Sequence, residues 1–177
     1  MRLSAGRVRE DCWNQLLSAR VVGYPLPPHG RYPNFHGSAE AARQLMGWPA
    51  LQRAREVLVG SELVLRPLRR QLLQLGALLW IPDPKRGGYL RSEGSGARGS
   101  QSWQAQLGRP EVAVLASVAA SRQGERLSKG FGWGAEGAGG CPQATLVHPL
   151  TLFAQLPCPP DSTLAALATP EELLEFG

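Results

Sequence analysis

The sequence predicts an α/β fold built on a mostly parallel sheet, and three observations carry that expectation. EVLVG (56–60), ALLWI (77–81) and VAVLASVAA (112–120) are short, continuous apolar runs of the kind found in strands covered on both faces. Between the first two lies PLRRQLLQL, opened by Pro67 and closed by Gly76, which reads as a helix. Strand–helix–strand units of this type place their strands side by side and parallel, with covering layers above and below.

The remaining elements follow in chain order. Val8, Cys12, Leu16 and Leu17 recur at helical spacing, so residues 6–20 are expected to form an amphipathic helix. The stretch GYPLPPHGRYPNFHG (23–37) carries four prolines and three glycines and is expected to pack as an irregular, aromatic loop. Ser38 is placed to cap a helix through AEAARQLM, and Pro49 suits the first turn of another short one. ALLWI is expected to stop at Pro82, and the Gly- and Ser-rich segment 83–110 to be loop. TLVH (145–148) and LAALA (164–168) are weaker strand candidates, and PEELLEF is expected to close the chain as a short helix.

With 177 residues and 43% hydrophobic content, one domain with a proper core is expected. No apolar run approaches the ~20 residues a membrane span needs, and no signal peptide is apparent, so a cytoplasmic protein, monomeric or dimeric, is expected. Cys12, Cys141 and Cys158 show no paired spacing, which argues against a disulfide framework. A Cys141–His148 nucleophile pair has no local support. The histidines His29, His36 and His148 lack ligand spacing and are expected to be structural. The net charge of +5 comes mostly from arginines spread along the chain. It favours anionic small ligands over nucleic acid, whose case rests on charge alone. Arg66, Arg69 and Arg70 share one predicted helix and are expected to face solvent.

Several segments resemble one known family. VREDCW (8–13), RYPNFHGSAEAARQL (31–45), RPLRRQLLQLGALLWIPDP (66–84), GERLSKGFGW (124–133), TLVHP (145–149) and LATPEEL (167–173) are similar, in this order, to motifs of the 5-formyltetrahydrofolate cyclo-ligase family. The similarity is strongest to its divergent branch of methenyltetrahydrofolate synthetase domain-containing proteins. The resemblance implies a Rossmann-like, CoA-transferase-like three-layer α/β/α sandwich. It also implies ATP and magnesium as cofactors and a folate as the small-molecule substrate.

Such chemistry needs anion-binding groups near a flat apolar slot. Phosphorylating the formyl oxygen demands charge neutralisation around the transferring phosphoryl group, which arginine forks, lysine and glycine-bared amides supply. The resemblance assigns those roles to Arg9, Arg126, Lys129, Gly130, Gly132 and Gly134, with Arg126 and Lys129 nearest the chemistry. It assigns the pterin to Trp133 and Glu62, and Trp103 could reach the same slot. The loop should lie at a carboxyl end of the sheet. It is not a Walker A loop, because no G-K-S/T follows.

Four departures stand against turnover. Ala5 replaces the family lysine four residues before Arg9, with Arg2 and Arg7 out of register. Ser128 replaces a motif glycine. Ala135 stands where the family has a metal-binding acid, and the shift by one residue is expected to turn Glu136 elsewhere. AEGAGGCPQ is too rich in glycine for the helix that would follow. Two functions therefore remain: an ATP- and folate-binding cyclo-ligase, or a binding module that has lost the chemistry.

Overall fold

A computed structural model describes residues 2–94 and 99–177. Helix α1 (Ala5–Ser18) starts where the Ser4 hydroxyl accepts the Arg7 N–H at 3.1 Å. Helix α2 (Ser38–Leu45) follows the proline-rich loop, but its cap is Gly37, not Ser38. Gly37 has φ of +97°, and a Cβ there would sit 2.7 Å from Pro170, so only glycine fits. Helix α3 (Pro49–Arg53) begins on its proline.

Strand β1 (Glu56–Val59) leads through a 3-10 turn (Leu63–Leu65) into helix α4 (Arg66–Gln74). Strand β2 (Leu78–Asp83) runs on through Pro82. Its pairing with β1 ends at Trp80, so the missing proline N–H breaks no ladder on that side. Strands β3 (Gly88–Glu93) and β4 (Ser100–Gln104) then form an antiparallel extension from a segment expected to be loop. Their polar composition suits an outer edge and hides the strand pattern.

Strand β5 (Val112–Ala116) and strand β6 (Ala119–Ser121) divide the apolar run expected to be one strand, and they belong to different sheets. Strand β7 (Glu125–Leu127) pairs back on β6. After a 3-10 turn at Ala135–Ala138 come β8 (Gln143–Leu146), a further 3-10 turn at Pro149–Thr151 and β9 (Leu152–Phe153). The chain closes with β10 (Ser162–Thr163), β11 (Ala166–Ala168) and β12 (Leu173–Glu175). The expected terminal helix is thus an edge strand. Thr169 Oγ1 accepts the N–H groups of Glu171 and Glu172, turning the chain so that Leu173–Glu175 pairs antiparallel with β11. The open edge of β11 outweighs the local helix preference of the glutamates and leucines.

The main sheet has the order β12-β11-β8-β5-β1-β2-β3-β4, and β11, β8, β5, β1 and β2 run parallel. This is the mixed α/β architecture with a large, mostly parallel central sheet that the sequence predicts. One face, with Val57, Val59, Leu79, Val114 and Leu146, packs under α2, α3 and α4. Leu58, Trp80, Ala113 and Leu115 of the other face meet Ala138, Trp133 and Leu107 from loops. The second sheet, β10-β7-β6-β9, shares a core with α1 through Val8, Cys12, Val118 and Leu127.

Cys12 is the core filler its position predicts. Burial first, then the charges of Asp11 and Cys158, push its thiol pKa from 9.0 to about 12. Above pH 9.0 the unfolded thiol would ionise while the folded one keeps its proton, so this group's contribution to stability is full below pH 9.0 and is lost as pH rises toward about 12. Denaturant midpoints measured from pH 8 to 11 are expected to fall less steeply in Cys12→Ala than in the wild type, although the variant starts lower.

Candidate active site

The topology creates a crevice at the carboxyl ends of the parallel strands. Strand β1 lies between β2 and β5. The chain leaves β1 through α4 on one face and leaves β5 toward the glycine-rich loop on the other. Open α/β sheets bind ligands at such a switch point. Here the crevice is floored by Gly60–Glu62 after β1, Pro82 and Pro84 at the end of β2, and Leu115–Ala116 of β5.

Arg126 reaches this point from β7. Its residue is only 3% exposed, yet no carboxylate of the described residues lies within 4.0 Å of it. Nε donates to the Ala116 carbonyl at 3.1 Å and to Ser117 Oγ at 3.2 Å, and Nη2 donates to Ala116 O and to the Tyr32 hydroxyl at 3.2 Å. Nη1 has no protein acceptor among the described residues and is not sealed from solvent. Arg126 lines a cavity of about 260 Å³ with Arg9, Tyr32, Gly130, Gly132, Trp133 and Gly134. Six of the residues singled out in the sequence therefore meet at one place: Arg9, Arg126, Gly130, Gly132, Trp133 and Gly134.

The other two lie next door. Lys129 and Glu62 line an adjoining depression of about 440 Å³, and Tyr32 is the wall common to both. Lys129 Nζ sits 5.4 Å from the centroid of Tyr32 and 4.7 Å from that of Phe131, held over both ring faces. The Glu62 side chain folds across Gly60, where a Cβ would fall 2.2 Å from its Oε1. Arg69 fixes this turn by donating to the carbonyls of Gly60 at 2.6 Å and Glu62 at 2.9 Å. Burial pushes the Arg69 guanidinium below its ordinary value, with Glu62 opposing the shift. Arg69 is thus a structural tie and not the solvated residue expected from its helix.

The motif loop is shaped by glycines in the left-handed region. Gly130 and Gly132 have φ of +94° and +84°, with Phe131 of ordinary sign between them. Alternation of this kind points successive amides into one concavity. Among the described residues, the N–H groups of Phe131, Gly132, Trp133 and Gly134 meet no protein acceptor. The start of the loop is different. Asp161 Oδ2 accepts the Ser128 N–H at 2.6 Å and lies 3.3 Å from Arg9 Nη2, while Arg9 Nε donates to Ser128 O at 2.6 Å. Half of the loop is therefore tied by the protein's own carboxylate, and half is open.

Glu136 corrects an expectation. The 3-10 turn at Ala135–Ala138 brings its carboxylate back over Gly134, into the same cavity as Arg126. No ion pair involving Glu136 occurs among the described residues. The missing helix is confirmed as missing, since only this four-residue turn follows the motif. Trp103 lies on edge strand β4 against Gly88, away from the crevice. Arg7 pairs with Asp11 on the exposed side of α1, so it does not replace the lysine lost at Ala5. Cys141 donates to the Ala138 carbonyl at 2.9 Å and burial raises its pKa, so it is no activated thiolate. His148 Nδ1 accepts the Leu150 N–H at 3.0 Å, and His29 bonds Asn14 at 2.7 Å, both structural.

Sequence reasoning missed Tyr32 and Asp161. Tyr32 sits in the RYPNFHG segment, whose prolines and aromatics predict packing alone. Asp161 lies in a proline-rich stretch with no pattern to single it out.

Comparison with known proteins bears on this geometry. No family model matches the chain. The human methenyltetrahydrofolate synthase domain-containing protein is 27% identical over 145 residues, covering 71% of this chain and 38% of the relative. Its mouse counterpart is 27% identical over 150 residues, covering 74% and 40%. The NMR structure of Aquifex aeolicus 5,10-methenyltetrahydrofolate synthetase matches with a TM-score of 0.59 at 17% identity, over 95% of this chain and 92% of that one. The chain is related to the 5-formyltetrahydrofolate cyclo-ligase family. It spans about two fifths of the length of the curated relatives it matches, and the solved structure shares its fold. No helix among the described residues is long and apolar enough to cross a membrane.

The close approach of Arg9 to the loop makes Gly130 and Gly132 unequal. A Cβ at Gly130 would stand 2.9 Å from Arg9 Cζ, whereas one at Gly132 would meet Lys129 Cε at 3.5 Å. Gly132→Ala is expected to cost the left-handed strain alone, about 1–2 kcal/mol. Gly130→Ala is expected to cost more and to loosen the Arg9–Asp161 tie, with denaturant unfolding as the measurement.

Proposed function

We propose that the crevice binds the polyphosphate of ATP beside a reduced folate, and that the protein acts as a 5-formyltetrahydrofolate cyclo-ligase. The observation that carries this reading is Arg126. A buried cation without a counter-charge is costly, by about 3–5 kcal/mol where a partner has been removed. An anion at its free Nη1 would offset that cost. The open amides of Phe131–Gly134 add donors in the same concavity.

In the proposed reaction the formyl oxygen of 5-formyltetrahydrofolate attacks the terminal phosphorus of ATP, and ADP leaves. The neighbouring nitrogen of the folate then attacks the activated carbon, the carbon–oxygen bond breaks, and phosphate departs with that oxygen and the nitrogen's proton to give 5,10-methenyltetrahydrofolate. Arg126 and Lys129 would neutralise charge on the phosphoryl group, and Arg9 would hold the loop that presents the amides. Trp133 and Tyr32 offer flat faces for the pterin, with Glu62 as a polar anchor across Gly60.

Magnesium fits the residues present. It is commonly held by one or two carboxylates together with phosphate oxygens, and Glu136 supplies one unpaired carboxylate in the cavity. Bound there, the ion would screen phosphate charge. Asp161 is already engaged by Ser128 and Arg9 and contributes to the loop instead.

A second reading, binding without turnover, is favoured by the four-residue 3-10 turn at Ala135–Ala138. It provides no helix dipole at the phosphate. One assay separates the two. The pure protein with ATP, magnesium and 5-formyltetrahydrofolate is expected to develop the methenyl absorption band and release ADP, and Arg126→Lys to slow this roughly 100-fold. Intact ATP and no band would remove the cyclo-ligase activity. Thermal stabilisation by ATP or folate under the same conditions would then leave the binder.

A further inference from the structure

We propose that Thr145 and Ser117 form a buried hydroxyl relay that positions Arg126 for its anion. The inference rests on the reading that Arg126 meets an anionic ligand, and it gives the TLVHP motif a role that the proposed reaction leaves unassigned.

The relay has only one possible direction. Thr145 Oγ1 is 2.6 Å from the Leu115 carbonyl, which can only accept, so the Thr145 hydrogen goes there. Ser117 Oγ lies 2.5 Å from Thr145 Oγ1, and with the threonine hydrogen spent, Ser117 must be the donor. A lone pair of Ser117 is then left facing Arg126 Nε, a group that can only donate, at 3.2 Å. Thr145 is fully buried, and Ser117 and Arg126 are 7% and 3% exposed, so water does not compete for these bonds.

The consequence is orientational. Nε and Nη2 lie on one edge of the guanidinium, and that edge is gripped by Ser117, the Ala116 carbonyl and the Tyr32 hydroxyl. Nη1 is the nitrogen left without a protein acceptor among the described residues, on a side chain that lines the cavity. Thr145 stands opposite Leu115 in the β5–β8 register. The relay therefore refers the arginine to the rigid main sheet, although Arg126 itself belongs to the second sheet. Thr145 and Ser117 are positioning residues; neither lines the cavity.

The test is calorimetric titration of the full chain with inorganic pyrophosphate and with ATP. Thr145→Val keeps the shape and removes both hydrogen bonds, and it is expected to weaken binding about five- to tenfold. Thr145→Ser is expected to restore it. Ser117→Ala reports on the same relay if the valine variant does not fold. Val114→Ala, in the core of the opposite face, is expected to lower the melting temperature without changing affinity, which separates positioning from general destabilisation. Unchanged affinity in Thr145→Val and Ser117→Ala, with a wild type that binds, overturns the relay alone. A wild type that binds neither probe overturns the anion reading and the relay with it.

Discussion

A guanidinium buried at the junction of two sheets, with no carboxylate among the described residues to neutralise it, is the constraint on which the carboxyl end of this fold depends. The chain leaves the main sheet after Ala116 and enters the second sheet at Ala119. That break frees a backbone carbonyl inside the protein, where an unpaired acceptor is costly. Arg126 supplies the donors, and in doing so it stitches β7 to the end of β5. The same residue thus satisfies the backbone and leaves a positive charge at the crevice mouth. Under the proposed function, the stability of this junction and the affinity for an anion would be coupled through one side chain.

The glycine-rich loop shows a similar division of labour. Its first turn is held by Arg9 and Asp161, and the Gly130 position is so close to Arg9 that a methyl group would collide. The amides of its second half meet no protein acceptor among the described residues, and the Glu136 carboxylate folds back over Gly134 beside them. A loop tied at one end and open at the other can present donors without closing on itself. At the tied end the Ser128 N–H donates to the Asp161 carboxylate, so that amide is already satisfied by an oxygen anion of the protein's own.

Much of the fold was legible because apolar runs and helix signals are local. Strands overlapping EVLVG (56–60), ALLWI (77–81) and TLVH (145–148), the helices opened by Pro49 and near Pro67, and the absence of a helix after the motif could be read from neighbouring residues, although the ends of the second and third strands could not. Strands β3 and β4 were not legible, because polar edge strands lack the buried pattern that marks a strand. Residues 173–175 carry a helix-like composition, and only the free edge of β11 makes them a strand. Of the candidate site, the cluster of Arg9, Arg126 and the motif glycines was anticipated from the family resemblance. Tyr32, which joins its two cavities, lies in a proline-rich segment whose composition signals packing and carries no sign of a site.

By itself, the sequence determined the layer class, strands that would be buried on both faces, and the segment whose glycines would shape an irregular loop. Those properties follow from spacing and residue type within a few turns of chain. Only the tertiary structure decided that VAVLASVAA divides between two sheets, that Arg126 is buried with no ion-pair partner among the described residues, and that Glu136 enters the cavity from a 3-10 turn. Each of these depends on a contact between residues far apart in sequence, such as Tyr32 with Arg126 or Thr145 with Ser117. Local periodicity carries no information about which distant groups a fold will bring within hydrogen-bonding distance.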